Sequence, residues 1–286
     1  MIQTPPAVTD RAALSRNRSR AARAPALFLH EAALSEVEER LAEVNRRFTA
    51  PAVVTGWPDF WAAALPQARV VEDTAVLGLE PGAHDLVIHA MALHWADDPV
   101  GHLVQCRHAL RPDGLFLSLC PGGRTLEELR AALAEAESEI CGGLSPRVLP
   151  MGEIRDLGAL LQRAGFGLPV ADSIPLTVSY ADAFALMRDL RAMGEGNALA
   201  ARHRKIPPRA LFAATAARYA TAFPAPGEAP GGRIRATFEL IALTGWAPAD
   251  NQPRPLRPGS ARARLADALG TTETPLPDAV LPPRGD

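Results

Sequence analysis

The segment Pro51 to Phe60, "PAVVTGWPDF", is an apolar strand cut short by one glycine and a tryptophan. It is a setting in which backbone N–H groups can approach a nucleotide-type ligand. Other residues able to do chemistry lie nearby in sequence: the carboxylates Glu72 and Asp73, the run Ala90 to Trp95 with Met91 and His94, and the turn Gly122–Gly123. Five histidines, His84, His89, His94, His102 and His108, crowd the same stretch. A metal site needs ligands converging with supporting partners behind them. His102 and His108 stand six apart on an expected helix and so on different faces; the histidines read as surface and strand-end residues, and no metal is expected. No serine has the context of a nucleophile elbow, and nothing reads as a phosphate-binding P-loop.

These residues must be positioned by a sheet. Short strands are expected at Ala52 to Thr55, Arg69 to Val71, Asp85 to Ala90 and Leu115 to Cys120. Between them lie a helical piece at Asp59 to Leu65 and a helix opened by Asp98 and Pro99. "RPDG", Arg111 to Gly114, signals a turn. Thr125 and Glu128 form a capping-box pattern for the next helix. Strand and helix in alternation predict a parallel sheet covered by helices. Ligands then bind outside the carboxyl ends of the strands, here Thr55–Gly56, Glu72–Asp73, Ala90 to Trp95 and Cys120 to Gly123. A helix is expected over Glu31 to Phe48 upstream. Downstream, helices are expected near Glu153 to Ala164, Asp182 to Met193 and Pro208 to Phe223, extended segments at Leu168 to Ala171 and Leu176 to Tyr180, and a last strand at Arg235 to Ala247.

A chain of 286 residues, 48% hydrophobic, can bury a full core. The formal net charge of -2 gives no strong pull toward nucleic acid or an anionic membrane, and neither is expected as a partner. Lys205 is the sole lysine among 30 basic residues, so arginine richness reflects composition more than phosphate binding. Three cysteines without a CxxC spacing fit a reducing cytoplasm, the expected compartment. No apolar run approaches the roughly 20 residues that span a bilayer. Residues 1–26 form a basic lead carrying Arg11, Arg16, Arg18, Arg20 and Arg23, read as a solvated helix or as a transit-type segment. One domain is expected over 27–270, with a helical insertion near 181–230, and a disordered tail over 271–286.

The stretches "DLVIHAMALHWADDP", "ALRPDGLFL", "GGRTLEELR", "RDLGALLQRAGF", "LMRDLRAMGEGNA" and "RIRATFELIALTGWAP" resemble the class I S-adenosylmethionine-dependent methyltransferase family. More narrowly, they resemble the bacterial and mitochondrial relatives of NADH:ubiquinone oxidoreductase complex assembly factor 5. The resemblance implies an α/β, Rossmann-like fold with a mostly parallel, seven-stranded sheet and an antiparallel C-terminal hairpin. It implies S-adenosylmethionine as cofactor, with Thr55, Gly56, Glu72, Asp73, Met91 and His94 around it, and a complex I subunit or other protein as substrate. Methyl transfer and arginine hydroxylation both occur in that setting, so the reaction stays open and no catalytic residue is assigned.

The sequence departs from the family at the first loop. Cofactor-binding members carry a GxGxG-type loop there; this chain has Gly56 followed by Trp57 and Pro58, an indole that takes up space and a residue that donates no hydrogen bond. Gly56 and Asp85 are only 29 positions apart, room for about one βαβ step where the family fits two. Residues 69–87 resemble the family's third strand, loop and fourth strand, which makes the second strand the missing one. Glu72 or Asp73 would then replace its ribose-binding carboxylate, against the alternative of an ordinary loop acid. Arg188, Arg191 and Glu195 read as a partner or substrate surface, or as a solvated helix face. Two functions follow: an enzyme acting on a protein side chain in complex I assembly, or an assembly scaffold or chaperone whose cofactor site has degenerated.

Overall fold

The computed structural model describes residues 7–250, 252, 267 and 270–272. The chain divides into a unit ending at Asp250 and a second from Asn251, and every element below belongs to the first. The tail expected over 271–286 lies outside the described residues, apart from 271 and 272.

Two helices come first. Helix α1 (Arg11–Ala21) starts where the Asp10 carboxylate accepts from the Ala13 N–H. It was expected as a solvated basic helix, yet Ala13, Leu14 and Ala21 are buried. Helix α2 (Phe28–Glu43) buries Leu29, Ala33 and Val37, one stripe at helical spacing, and ends five residues before the expected Phe48. The alternating part follows: β1 (Pro51–Thr55), α3 (Pro58–Ala64), β2 (Arg69–Glu72), β3 (His84–Ala90), a short turn of helix at Leu93–Trp95, α4 (Pro99–Ala109), β4 (Leu110–Pro121) and α5 (Glu127–Cys141). After it come α6 (Ile154–Arg163), β5 (Gly167–Tyr180), α7 (Ala183–Ala192), α8 (Arg209–Ala222) and β6 (Ile234–Trp246).

Six strands form one sheet in the order β2-β1-β3-β4-β6-β5. β2, β1, β3 and β4 run parallel, with Val53 beside both Val70 and Ile88. β6 enters antiparallel between β4 and β5, as a C-terminal hairpin would. From β1 the chain steps outward to β2 and then returns past β1 to β3, so strand order reverses between β1 and β3. That is where an open α/β sheet opens a crevice for ligands.

The sheet's two faces are read directly from period-2 alternation. Val53, Leu86, Ile88, Leu117 and Phe238 meet residues of α2, α3, α5, α7 and α8, while Ala52, Val54, Val87, Phe116 and Ile241 meet α4 and α6. Each fully buried apolar side chain contributes about 1.5–3 kcal/mol, so this double-sided core fixes the frame that holds the strand ends.

Four local expectations are corrected. The strand at 69–72 pairs directly with β1, so the place beside β1 is filled and the sheet is narrower by its outer strand. The capping box does not form: Leu126, at φ +57, precedes α5, and both side chains bind the last strand instead. The Thr125 hydroxyl donates to the Glu239 carbonyl, and the Glu128 carboxylate accepts from the Thr237 N–H and hydroxyl. The extended segments at 168–171 and 176–180 are one strand, β5, paired with β6 continuously from Val170 to Tyr180 after an irregularity between Gly167 and Val170. "RPDG" is an irregularity within β4, with Asp113 at φ +61.

Candidate functional site

At the β1–β3 crevice the first strand ends on a closed turn. Thr55 is fully buried and its hydroxyl accepts from the Trp57 N–H at 3.2 Å, which removes that amide from ligand binding. Pro58, next in line, has no N–H to offer. Just past the end of β3, Met91 is buried at φ +53, a backbone region costly for a residue with a side chain, and its N–H donates to the Leu119 carbonyl at 2.7 Å.

The space beside Gly56 belongs to helix α1. A Cβ added to Gly56 would lie 2.2 Å from Arg18 Cζ, so the guanidinium sits where a ligand would approach the glycine. Arg18 Nη1 donates to Asp73 Oδ1 at 2.6 Å and Nη2 donates to Asp73 Oδ2 at 3.1 Å. Arg11, two helical turns earlier, donates to Oδ2 at 3.3 Å and to the Asp73 carbonyl. Burial alone would raise the Asp73 carboxyl, but the Arg18 hydrogen bonds and the charges of Arg18 and Arg11 hold it below the ordinary range. Both carboxylate oxygens are therefore spoken for. A cleft of about 850 Å³ remains outside this pair, lined by Arg11, Arg18, Gly56, Trp57, Glu72 and Asp73. With α1 in this position, Arg18 stands over Gly56 and holds Asp73, so neither is open to an adenosyl ligand; Glu72, exposed on the same cleft, is not held by Arg18.

A second cavity, of about 340 Å³, opens beyond β3 and β4. Glu195 is its acid. Its Oε2 accepts from the Trp95 indole at 2.7 Å and lies 3.2 Å from His94 Nε2, while Oε1 makes no hydrogen bond among the described residues. Burial would raise the Glu195 carboxyl; the nearby His94, the charge of Arg18 and the Trp95 hydrogen bond overcome it and keep it low. The walls mix apolar side chains, among them Leu190, Phe212 and Phe238, with the basic Arg147, Arg191 and Arg202. Oε1, on a side chain 23% exposed, can accept a charge-assisted bond from a cationic side chain, although the other charged residues of the lining are basic.

The expected site residues thus separate. Gly56, Glu72 and Asp73 border the first cleft, with Glu72 exposed and Asp73 buried. Thr55 turns inward, Met91 is enclosed, and His94 belongs to the second cavity. Gly122 and Gly123 turn the chain, the latter at φ +46 beside Glu239. His89 contacts His102 at 3.2 Å, and burial pushes His89 down to about 3, so both rings serve the interior. The role of α1 was missed, although Arg11 and Arg18 at a spacing of seven share one helix face. Glu195 was read as a surface residue, and it lies in a pocket.

The match to a methyltransferase domain covers residues 30–118. The chain is 38% identical over 195 residues to a protein of Dictyostelium discoideum named arginine-hydroxylase NDUFAF5, mitochondrial, covering 68% of this chain and 44% of that protein. It is 36% identical over 203 residues to the Danio rerio protein of the same name, covering 71% and 62%. A malonyl-[acyl-carrier protein] O-methyltransferase of Xylella fastidiosa is 36% identical over 183 residues, covering 64% and 58%. In each case the match spans less than two thirds of the relative's own length.

Proposed function

Because this chain belongs to the class I S-adenosylmethionine-dependent methyltransferase-like family, close to the NDUFAF5 arginine hydroxylases, we propose that it serves respiratory complex I assembly as a protein-binding scaffold. A complex I subunit is its partner, one cationic side chain enters the pocket over Glu195, and Arg18 closes the chain's own cofactor crevice. The observation that carries this reading is the two-pronged contact of Arg18 with Asp73 against Gly56. The pocket supports it: Glu195 Oε1 makes no hydrogen bond among the described residues, and Glu195 is the one acid in a lining of apolar and basic side chains. The proposed compartment is the cytoplasm; "mitochondrial" belongs to the relatives' names. Among the described residues no helix is long and apolar enough to cross a membrane.

A second reading keeps the catalyst: an S-adenosylmethionine-dependent enzyme that methylates or hydroxylates a protein side chain. The matched domain and the cleft of about 850 Å³ favour it, and it requires α1 to leave Gly56 and Asp73. Titration calorimetry of the whole chain separates the two. The scaffold reading expects an arginine-containing peptide to bind and S-adenosylmethionine and S-adenosylhomocysteine to give no heat. Cofactor binding by the unaltered chain overturns it in favour of the enzyme.

A further inference from the structure

Between α7 and the start of α8 lies a groove of about 460 Å³ lined by Phe184, Met187, Arg188, Arg191, Arg209 and Phe212. Its floor is apolar and its rim cationic. Phe184 is 41% exposed, and Ile206, three residues before Arg209, is 95% exposed. Large apolar side chains left open beside a concavity mark places where another molecule docks. The side chains of Arg188, Arg191 and Arg209 make no hydrogen bond or ion pair among the described residues. The acids of α7 are engaged elsewhere: Asp182 accepts from the Ala185 N–H, and Asp189 accepts from the Tyr180 hydroxyl. By contrast, Arg202 and Arg204 nearby both pair with Asp10. Three free guanidinium groups around an apolar floor, with no acid in the lining, present an uncompensated charge pattern.

We propose that this groove docks an acidic segment of a partner protein that carries one large apolar residue. Its carboxylates meet Arg188, Arg191 and Arg209, whose planar forks match carboxylate geometry. Its apolar side chain covers Phe184, Met187 and Phe212. The groove meets the Glu195 pocket at Met187, Arg191 and Phe212, so a bound segment would run along the mouth of that pocket. A concave floor favours a peptide over an anionic bilayer, which engages side chains that project from an apolar face.

Fluorescence anisotropy on the whole chain tests this with three probes: a short Glu/Asp-rich peptide with a central Phe, its Lys-substituted counterpart, and vesicles containing phosphatidylserine. The acidic peptide is expected to bind, to weaken as salt rises, and to outcompete the other two. Arg188→Glu with Arg209→Glu is expected to lower its affinity more than about fivefold. Phe184→Ala, which leaves every charge in place, should weaken binding and leave the salt dependence intact. Since all three side chains are exposed, thermal unfolding of the variants should match the parent. Equal binding of acidic and basic peptides, undiminished binding by the double variant, or binding of vesicles without the peptide would each overturn the proposal.

Discussion

Arg18 and Asp73 lock the N-terminal helix onto the end of β2, with Nη1 2.6 Å from Oδ1 and Nη2 3.1 Å from Oδ2. The contact joins residues 55 positions apart and stands directly over Gly56. Arg18→Ala removes the plug and leaves Asp73 with Arg11. Breaking such a largely buried pair costs about 3 kcal/mol, which a urea melt reads. The same variant should admit S-adenosylhomocysteine, seen as a ligand-dependent rise in Tm that the parent lacks.

Trp57→Gly tests whether the indole is the obstruction that the sequence suggests. Trp57 is 9% exposed and packs in the larger core cluster, with its ring within 3.4 Å of the Cβ position of Gly194. Its loss should therefore cost about 3–5 kcal/mol of stability. Cofactor binding should not appear unless Arg18 is replaced as well. A cofactor response from Trp57→Gly alone would place the obstruction at the indole.

Asp73, His30 and His89 each shape the acid limb of the pH–stability curve. Asp73 has a depressed carboxyl in the folded chain, so its contribution is full above the ordinary value of 3.8 and is lost as pH falls through the lower native value. Asp73→Asn should flatten the curve in that lowest window. His30 accepts from the Trp61 indole at 3.1 Å, and burial pushes it down to about 4 from 6.5. The unfolded chain then takes up its proton first, so stability should already fall between pH 6.5 and 4. His89, pushed down to about 3, acts in the same direction; urea titrations at stepped pH check all three, and a flat curve across the upper window would contradict neutral, buried His30 and His89.

Glu195→Ala strips the acceptor from Trp95 and His94. Hydrogen bonds to a charged group are worth about 1.5–3 kcal/mol each, so the variant should lose stability on that scale. Binding of an arginine-containing peptide should vanish with it. Glu195→Gln keeps an acceptor for the Trp95 indole but no charge; it should recover much of the stability and little of the binding.

The sheet was legible in the sequence because its signals are local: branched apolar runs at 85–90 and 115–120, and helical stripes between them. The shortened first half was legible too, from the spacing of Gly56 and Asp85. What sequence could not supply is which strand was lost, since that depends on which strand pairs with β1. Thr125 and Glu128 had a capping pattern, but a neighbouring strand offered its own backbone, and the tertiary partner won. Gly56, Glu72 and Asp73 line one cleft. The occupant beside Gly56 and Asp73 was hidden because Arg18 reaches these two from another part of the chain, and a basic helix looks the same whether its arginines face water or a buried acid.

Occlusion of the cofactor crevice by Arg18 is tested most directly by titrating S-adenosylhomocysteine into the unaltered chain while following thermal unfolding, with Arg18→Ala in parallel. No shift for the parent at millimolar ligand, together with a shift for Arg18→Ala, is the expected result. A parent stabilised by about 2.7 kcal/mol at a hundredfold excess over its dissociation constant would show an open crevice and contradict the occlusion.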